Sequence, residues 1–130
     1  MCSSDLNTAT AIQYTHARIQ AISRKASQLN ISGSLEFQPS VLKKSERELL
    51  IHLLNFEAMI MEAADGYSPA VVANYLYETS RKYNSFFAAE TIFQAETPDL
   101  VQFRVSLSVL TGRTIRTCGN ILGIEMPERM

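Results

Sequence analysis

The sequence has few cysteines, few glycines and no excess of positive charge, and each shortage excludes a class of protein. Its two cysteines, Cys2 and Cys118, form no C-x-x-C pair, which argues against a zinc site or a disulfide framework and favours a reducing compartment. The five glycines are scattered, so no glycine loop for binding phosphate is present. The chain has 12 basic and 13 acidic residues, so its net charge is close to zero. Any site for nucleic acid must therefore be a local patch of positive charge.

Long apolar runs are also missing. No stretch approaches the roughly 18 apolar residues that a membrane span needs, and the first residues form neither a basic leader nor an apolar signal segment. We therefore expect a cytoplasmic protein without a membrane partner. Its 130 residues are long enough to bury a core as one domain, residues 1–130.

Apolar residues recur every three or four positions instead of alternating, which predicts an all-α fold. The first helix is predicted from about Ala9 to Leu29, and its core stripe consists of Ile12, Ile19, Ile22, Ala26 and Leu29. A polar connector is predicted over residues 30–42. Ser45 and Glu48 have the spacing of a capping box, so a second helix should begin there and continue to about Gly66.

Two later helices are predicted to begin at Ser68-Pro69 and Thr97-Pro98, where a capping side chain precedes a proline at the first helical position. The apolar residues that the third helix is predicted to carry are Val72, Leu76, Tyr83, Phe86 and Phe87. Those assigned to the fourth are Leu100, Val101, Phe103, Leu107, Leu110, Ile115 and Ile121. Gly112 in mid-helix predicts a kink or a close helix contact. The fold class is therefore an all-α helical bundle of four to five helices.

The sequence offers no catalytic constellation. His16 and His52 lie on different helices, and neither has a histidine four residues away, so both are predicted to be structural and no metal ligand is predicted. Cys118 lacks the local signature of a nucleophile. We expect the chain alone to catalyse nothing.

The first helix does offer a candidate binding edge. On a helix of about 100° per residue, Tyr14, Arg18 and Lys25 fall within roughly 40° of one another, beside the apolar stripe. An aromatic ring and two cations suit single-stranded RNA, because the ring stacks on an unpaired base while cations hold phosphates or stack. The same residue types also occur as solvated side chains at the margin of an amphipathic helix. The helix pattern leaves both interpretations open.

Four blocks of sequence carry a more specific signal. In chain order they are IQYTHARI with RKA at residues 12–19 and 24–26, ELL at 48–50, NYLYE with YNSFF at 74–78 and 83–87, and LGIEMPERM at 122–130. Together they resemble the C-terminal anticodon-binding (DALR-type) domain of arginyl-tRNA synthetase.

The resemblance implies an all-α domain that recognises the anticodon stem and loop of arginine tRNA. A separate catalytic domain of the same polypeptide would then activate arginine with ATP and charge the tRNA. Its H-I-G-H and K-M-S-K-S type motifs are not in these residues, so the chain resembles a C-terminal, non-catalytic fragment of an arginine–tRNA ligase. The fragment is expected to be a monomer with no cofactor of its own.

The resemblance also assigns anticodon-binding positions. Tyr14 and Arg18 match an aromatic and a basic residue on the anticodon-facing side, Phe87 stands where the family usually has tyrosine, and Met130 matches the terminal residue near the anticodon loop. With Lys25 these form the predicted tRNA site.

The C-terminal segment is expected to reach back to this site. Gly123 should supply a turn and Ile124 an anchor, while Arg18 should offset the terminal carboxylate.

Besides Phe87, this sequence departs from the family pattern at three places. Ala11 replaces an aromatic residue near the start, Phe56-Glu57 replaces a Phe-Pro pair, and residues 1–6 match no block. Two alternatives remain: a stand-alone helical adaptor of the same fold, and the anticodon domain of a related synthetase such as the cysteinyl or glycyl enzyme. The terminal block at residues 127–130 favours the arginyl family over both.

Overall fold

Five α-helices follow one another in the computed structural model, which describes the backbone of residues 3–31 and 42–130 and the side chains of residues 8–31 and 42–130. They are α1 (Ser3–Gln28), α2 (Lys44–Leu54), α3 (Phe56–Gly66), α4 (Pro69–Ala89) and α5 (Pro98–Leu122). No strand occurs among the described residues. The predicted all-α bundle of four to five helices is confirmed, while most of the predicted connector lies outside the described residues.

Helix α1 begins earlier than the predicted Ala9 and ends at Gln28, one residue before the predicted Leu29. Four residues of its predicted stripe are buried, but Leu29 is 53% exposed, so its assignment to the core was wrong. The reason is a helix end one residue earlier, followed by Asn30 in the left-handed region with φ of 56°. The Ile31 amide then donates to the Ala26 carbonyl at 2.8 Å, and Ile31 packs against the core in place of Leu29.

The single helix predicted after the connector is in fact two, α2 and α3, separated at Asn55. Asn55 has φ of −86° and ψ of 5°, and its amide donates to the His52 carbonyl at 3.1 Å, three residues back. This tighter turn changes the direction of the chain. It allows α2 to pack on both α4 and α5, while α3 packs on α4.

The predicted capping box at Ser45 was also wrong. Helix α2 begins at Lys44, so the residue at the cap is Lys43 and the residue that reaches back is Glu46. The Lys43 amide donates to Oε1 of Glu46 at 2.8 Å. Glu46 takes this place instead of Glu48 because it stands three residues after the actual cap.

The helix starts at Pro69 and Pro98 are confirmed. Thr97 caps α5 as predicted, since its Oγ1 accepts the Leu100 amide at 3.2 Å, whereas the predicted cap at Ser68 was wrong, because its side chain makes no capping hydrogen bond. One position assigned to the apolar side of these helices was wrong, because Ile121 is 53% exposed. Ile121 lies six residues beyond Ile115, a rotation of about 240° around the helix, so it faces away from the core.

Helix α5 packs against α1, α2 and α4. It lies close to α1 at Gly112, where an added Cβ atom would lie 2.8 Å from Cγ2 of Ile19. The prediction of a close helix contact at this glycine is confirmed. Short hydroxyl side chains also line the buried surface of α5, and each donates to a carbonyl four residues earlier in the helix: Ser106, Ser108, Thr111 and Thr114.

Gly112→Ala is expected to lower the free energy of unfolding by about 1 kcal/mol. The new methyl group overpacks the contact with Ile19 at a cost of roughly 1–3 kcal/mol, which outweighs a helix-propensity gain of about 1 kcal/mol. Gly66→Ala is the matched control, because only Cβ of Ser68, at 3.9 Å, lies near its added methyl. Urea unfolding followed by circular dichroism compares the two. A Gly112→Ala protein more stable than the wild type would contradict this packing.

A buried ion cluster connects α2, α5 and the end of α4. Arg104 is 3% exposed and Glu46 is 1% exposed, and Nε of Arg104 lies 2.8 Å from Oε2 of Glu46. Arg104 also donates to the Thr91 carbonyl at 2.6 Å and pairs with Glu90 at 3.3 Å. The cluster therefore fixes the backbone that follows α4, which forms one wall of the site described next.

Candidate nucleic-acid interface

Residues 124–130, the C-terminal segment, lie across α1. Gly123 ends α5 in the left-handed region with φ of 75°, as expected of the turn, and redirects the chain. Three backbone carbonyls of the segment then accept hydrogen bonds from α1 side chains. The pairs are Gln13 Nε2 to the Glu125 carbonyl at 2.9 Å, His16 Nδ1 to the Pro127 carbonyl at 2.9 Å, and Arg24 to the Glu128 carbonyl at 3.3 Å.

Met126 is the most deeply buried residue of this segment. It is 9% exposed and packs on Gly119, where an added Cβ atom would lie 2.6 Å from Cε of Met126. Ile124 packs against the core as expected, but it is only partly buried. Met126 was not predicted to be an anchor, although a glycine one helical turn before Gly123 was the available signal.

The end of the segment reaches the predicted binding edge of α1. A cavity of about 220 Å³, the small cleft, has Tyr14, Arg18 and Met130 among its walls. Its remaining walls are Ala17, Ala21, Arg24 and Arg129. Tyr14 and Met130 are both 58% exposed, so an aromatic ring and a thioether are available to a ligand.

A second cavity of about 580 Å³, the large groove, lies on the other side of Arg18. The Arg18 guanidinium lies 4.5 Å from the centre of the Phe87 ring, and Lys25 Nζ lies 4.7 Å from the centre of the Phe93 ring. Both pairs have cation–π geometry. The groove also includes Ile22, and its far wall is the backbone after α4, including Glu90 and Thr91.

All five predicted site residues therefore lie along one surface. Tyr14 and Met130 line the small cleft, Lys25 and Phe87 line the large groove, and Arg18 lines both. Phe93, a wall of the groove, was missed because it lies in the irregular segment after α4, where helical spacing gives no signal.

Arg18 has different neighbours from those expected. It donates to Oδ1 of Asn84 at 3.0 Å and stacks on Phe87 at 4.5 Å instead of offsetting the terminal carboxylate. Asn84 also donates to Thr15 at 3.0 Å, so α4 holds the guanidinium from one side.

Five arginines lie in or near the C-terminal segment and make a local basic patch on a chain of net charge −1. Arg18 and Arg24 line the small cleft together with Arg129 of the segment itself, Arg116 contacts the segment at Glu128, and Arg113 lies beside Arg116. Glu128 reduces this charge, since its carboxylate pairs with Arg116 at 2.9 Å. The patch supplies the local positive charge that the overall composition lacks.

Exposed aromatic rings beside arginines on a rigid helical surface are the features of a domain that binds unpaired nucleotides. Within the described residues, no group of three or more acidic, cysteine and histidine side chains could hold a metal ion. None of the described helices has the length and apolar character needed to cross a membrane.

Comparison with known proteins identifies the family. The sequence profile of the DALR anticodon binding domain matches residues 12–130, and this chain belongs to that family. It is 39% identical over 126 residues to an arginine–tRNA ligase of Phocaeicola vulgatus, covering 95% of this chain and 21% of the relative. It is 41% identical over 125 residues to the enzyme of Flavobacterium psychrophilum, covering 95% and 20%. The chain thus spans about a fifth of the length of these curated relatives.

Solved structures share the fold. The arginyl-tRNA synthetase of Thermus thermophilus matches with a TM-score of 0.72 and 35% identity, over 92% of this chain and 20% of that one. A putative arginyl-tRNA synthetase from Campylobacter jejuni matches with a TM-score of 0.79 over 95% of this chain and 27% of that one. At 21% identity, the second match bears on the fold alone.

Proposed function

We propose that this chain recognises the anticodon stem and loop of an arginine tRNA, as the anticodon-binding domain of an arginine–tRNA ligase. The observation that carries the proposal is the convergence of Met130 with Tyr14 and Arg18 at the small cleft, next to the large groove. Family membership and the arginine–tRNA ligases among the relatives support it.

The proposed mechanism is recognition of splayed bases. Tyr14 and Met130 would pack on one unpaired base in the small cleft, and the terminal carboxylate would accept a base N–H group. The volume of the large groove, about 580 Å³, suits a second base beside Phe87. Arg18 and Lys25 would stack on bases or hold the phosphates between them.

The catalytic step would belong to a domain of the same polypeptide that is not among these residues. That domain would use ATP to activate arginine, and this domain would position the tRNA for it. We propose that the whole ligase acts in the cytoplasm and that this domain is a monomer without a cofactor of its own.

Binding to RNA hairpins tests the proposal. We expect the chain to bind the anticodon arm of an arginine tRNA more tightly than an arm with the same stem and a non-arginine anticodon loop. The affinity should fall with rising salt, because phosphate contacts release counterions. Fluorescence anisotropy measures the dissociation constants for the two hairpins. Equal affinity for the two loops would contradict anticodon recognition and favour the adaptor alternative.

Arg18→Ala should weaken binding to the arginine hairpin by roughly 10- to 150-fold, because hydrogen bonds to a charged group contribute roughly 1.5–3 kcal/mol. Arg47→Ala is the matched control, since it removes the same charge from an exposed position on α2. It should leave the affinity nearly unchanged. Equal losses in the two variants would assign the effect to net charge and not to the site.

A further inference from the structure

Helix α1 holds the C-terminal segment with one stripe of polar side chains. At about 100° per residue, Gln13, His16, Gln20 and Arg24 fall within roughly 80° of one another. This stripe differs from both the apolar core stripe and the edge that carries Tyr14 and Arg18. Between the stripe and that edge lie Ala17 and Ala21, two small side chains that leave room for the chain to cross.

His16 is the one fully buried member of this stripe, at 0% exposure. Its Nδ1 atom lies 2.9 Å from the Pro127 carbonyl oxygen, and its Nε2 atom lies 3.3 Å from the amide nitrogen of Gln20. A carbonyl oxygen only accepts, so Nδ1 carries the hydrogen. Nε2 is then an acceptor and takes an N–H from Gln20. The contact with Pro127 requires a hydrogen on Nδ1, and the contact with Gln20 is compatible with it.

The hydrogen bond between His16 and Pro127 lies at the point of the C-terminal segment that determines where its last residues are positioned. Met126 holds the preceding part of the segment in the core, whereas the contacts beyond Pro127 are exposed hydrogen bonds and an exposed ion pair at Glu128. Exposed pairs of this kind contribute little to stability, so they do little to fix the position of the last residues. The position of Met130 at the small cleft therefore depends on the direction that the chain takes at Pro127.

We propose that His16 is a positioning residue, whose Nδ1–H group fixes the C-terminal segment at Pro127 and so places Met130 beside Tyr14 and Arg18. It touches no ligand and acts through the backbone of the segment. Its effect on RNA affinity rests on the function proposed above, whereas its effect on Met130 does not.

The wild-type protein gives the first test. Nitrogen NMR of the histidine rings should show a hydrogen on Nδ1 of His16. A hydrogen on Nε2 instead would overturn the proposal, and this measurement needs no variant to fold.

Two substitutions give the second test. In His16→Asn, the side-chain amide nitrogen stands where Nδ1 was, so the bond to Pro127 is kept. In His16→Gln the amide nitrogen stands nearer the place of Nε2, so that bond is lost. Both remove the buried ring, so both should lower the melting temperature similarly. Only His16→Gln should shift and sharpen the Met130 methyl resonance and weaken hairpin binding by about tenfold, the worth of a hydrogen bond of roughly 1.4 kcal/mol.

The outcomes separate the two proposals. If both variants change the Met130 methyl resonance equally, or neither does, His16 is merely a buried ring and the positioning role is wrong. If the wild-type chain binds no hairpin, the proposed function fails, but the ring tautomer and the Met130 resonance still decide the role of His16. If His16→Gln releases Met130 while hairpin affinity stays unchanged, the link from His16 to binding is wrong.

Discussion

Replacing Arg104 with methionine is expected to lower the free energy of unfolding by about 3–5 kcal/mol, the usual effect of removing one partner from a buried ion pair. The loss arises because Glu46, 1% exposed, would keep a buried charge without its cation. Methionine retains much of the arginine stem, so lost packing contributes little. Urea unfolding monitored by circular dichroism measures the change.

Two further variants isolate the cause. Arg81→Met removes an exposed arginine that pairs with Glu78 at 2.7 Å, and it should leave the free energy of unfolding nearly unchanged. Adding Glu46→Gln to Arg104→Met should restore part of the loss, because the amide is neutral and its oxygen still accepts the Lys43 amide. An Arg104→Met protein as stable as the Arg81→Met control would show that the cluster is solvated.

Deleting Glu128 to Met130 is expected to weaken binding to the arginine anticodon hairpin by about 1–3 kcal/mol, the range for one base stacked on a side chain. The deletion removes the thioether and the carboxylate from the small cleft. It keeps the buried Met126 and the bond between His16 and Pro127, so the melting temperature should change little. Fluorescence anisotropy and thermal unfolding measure the two properties.

The matched control is a longer deletion that starts at Ile124. It also removes the anchor at Met126, so it should lower the melting temperature as well as the affinity, because a core methionine usually contributes several kcal/mol. A three-residue deletion that binds the hairpin as tightly as the intact chain would restrict the binding surface to α1 and the large groove.

Local signals explain how much of the fold could be predicted. Proline at the first helical position fixed the starts of α4 and α5, because it depends only on neighbouring residues. The break at Asn55 left no such signal, since the apolar spacing continues from α2 into α3. The pairing of Arg104 with Glu46 joins residues far apart in the chain, and no spacing rule relates them.

The candidate site was predictable for a different reason. Tyr14, Arg18 and Lys25 lie on one helix, where angular position follows from the sequence number. Phe87 and Met130 came from the family resemblance, and the structure adds their geometry. The partner of His16 could not be read from the sequence, because it depends on where the chain returns after Gly123.

Arg18 lines both the small cleft and the large groove, so one side chain borders the two cavities. A ligand that reorients it in one cavity necessarily changes the other, so two neighbouring bases would bind with a coupling free energy and not as independent events. Such coupling is reciprocal. The preference of the domain for a given base at one position of a loop would then depend on the base next to it. The domain would therefore recognise a pair of neighbouring bases and not two bases independently.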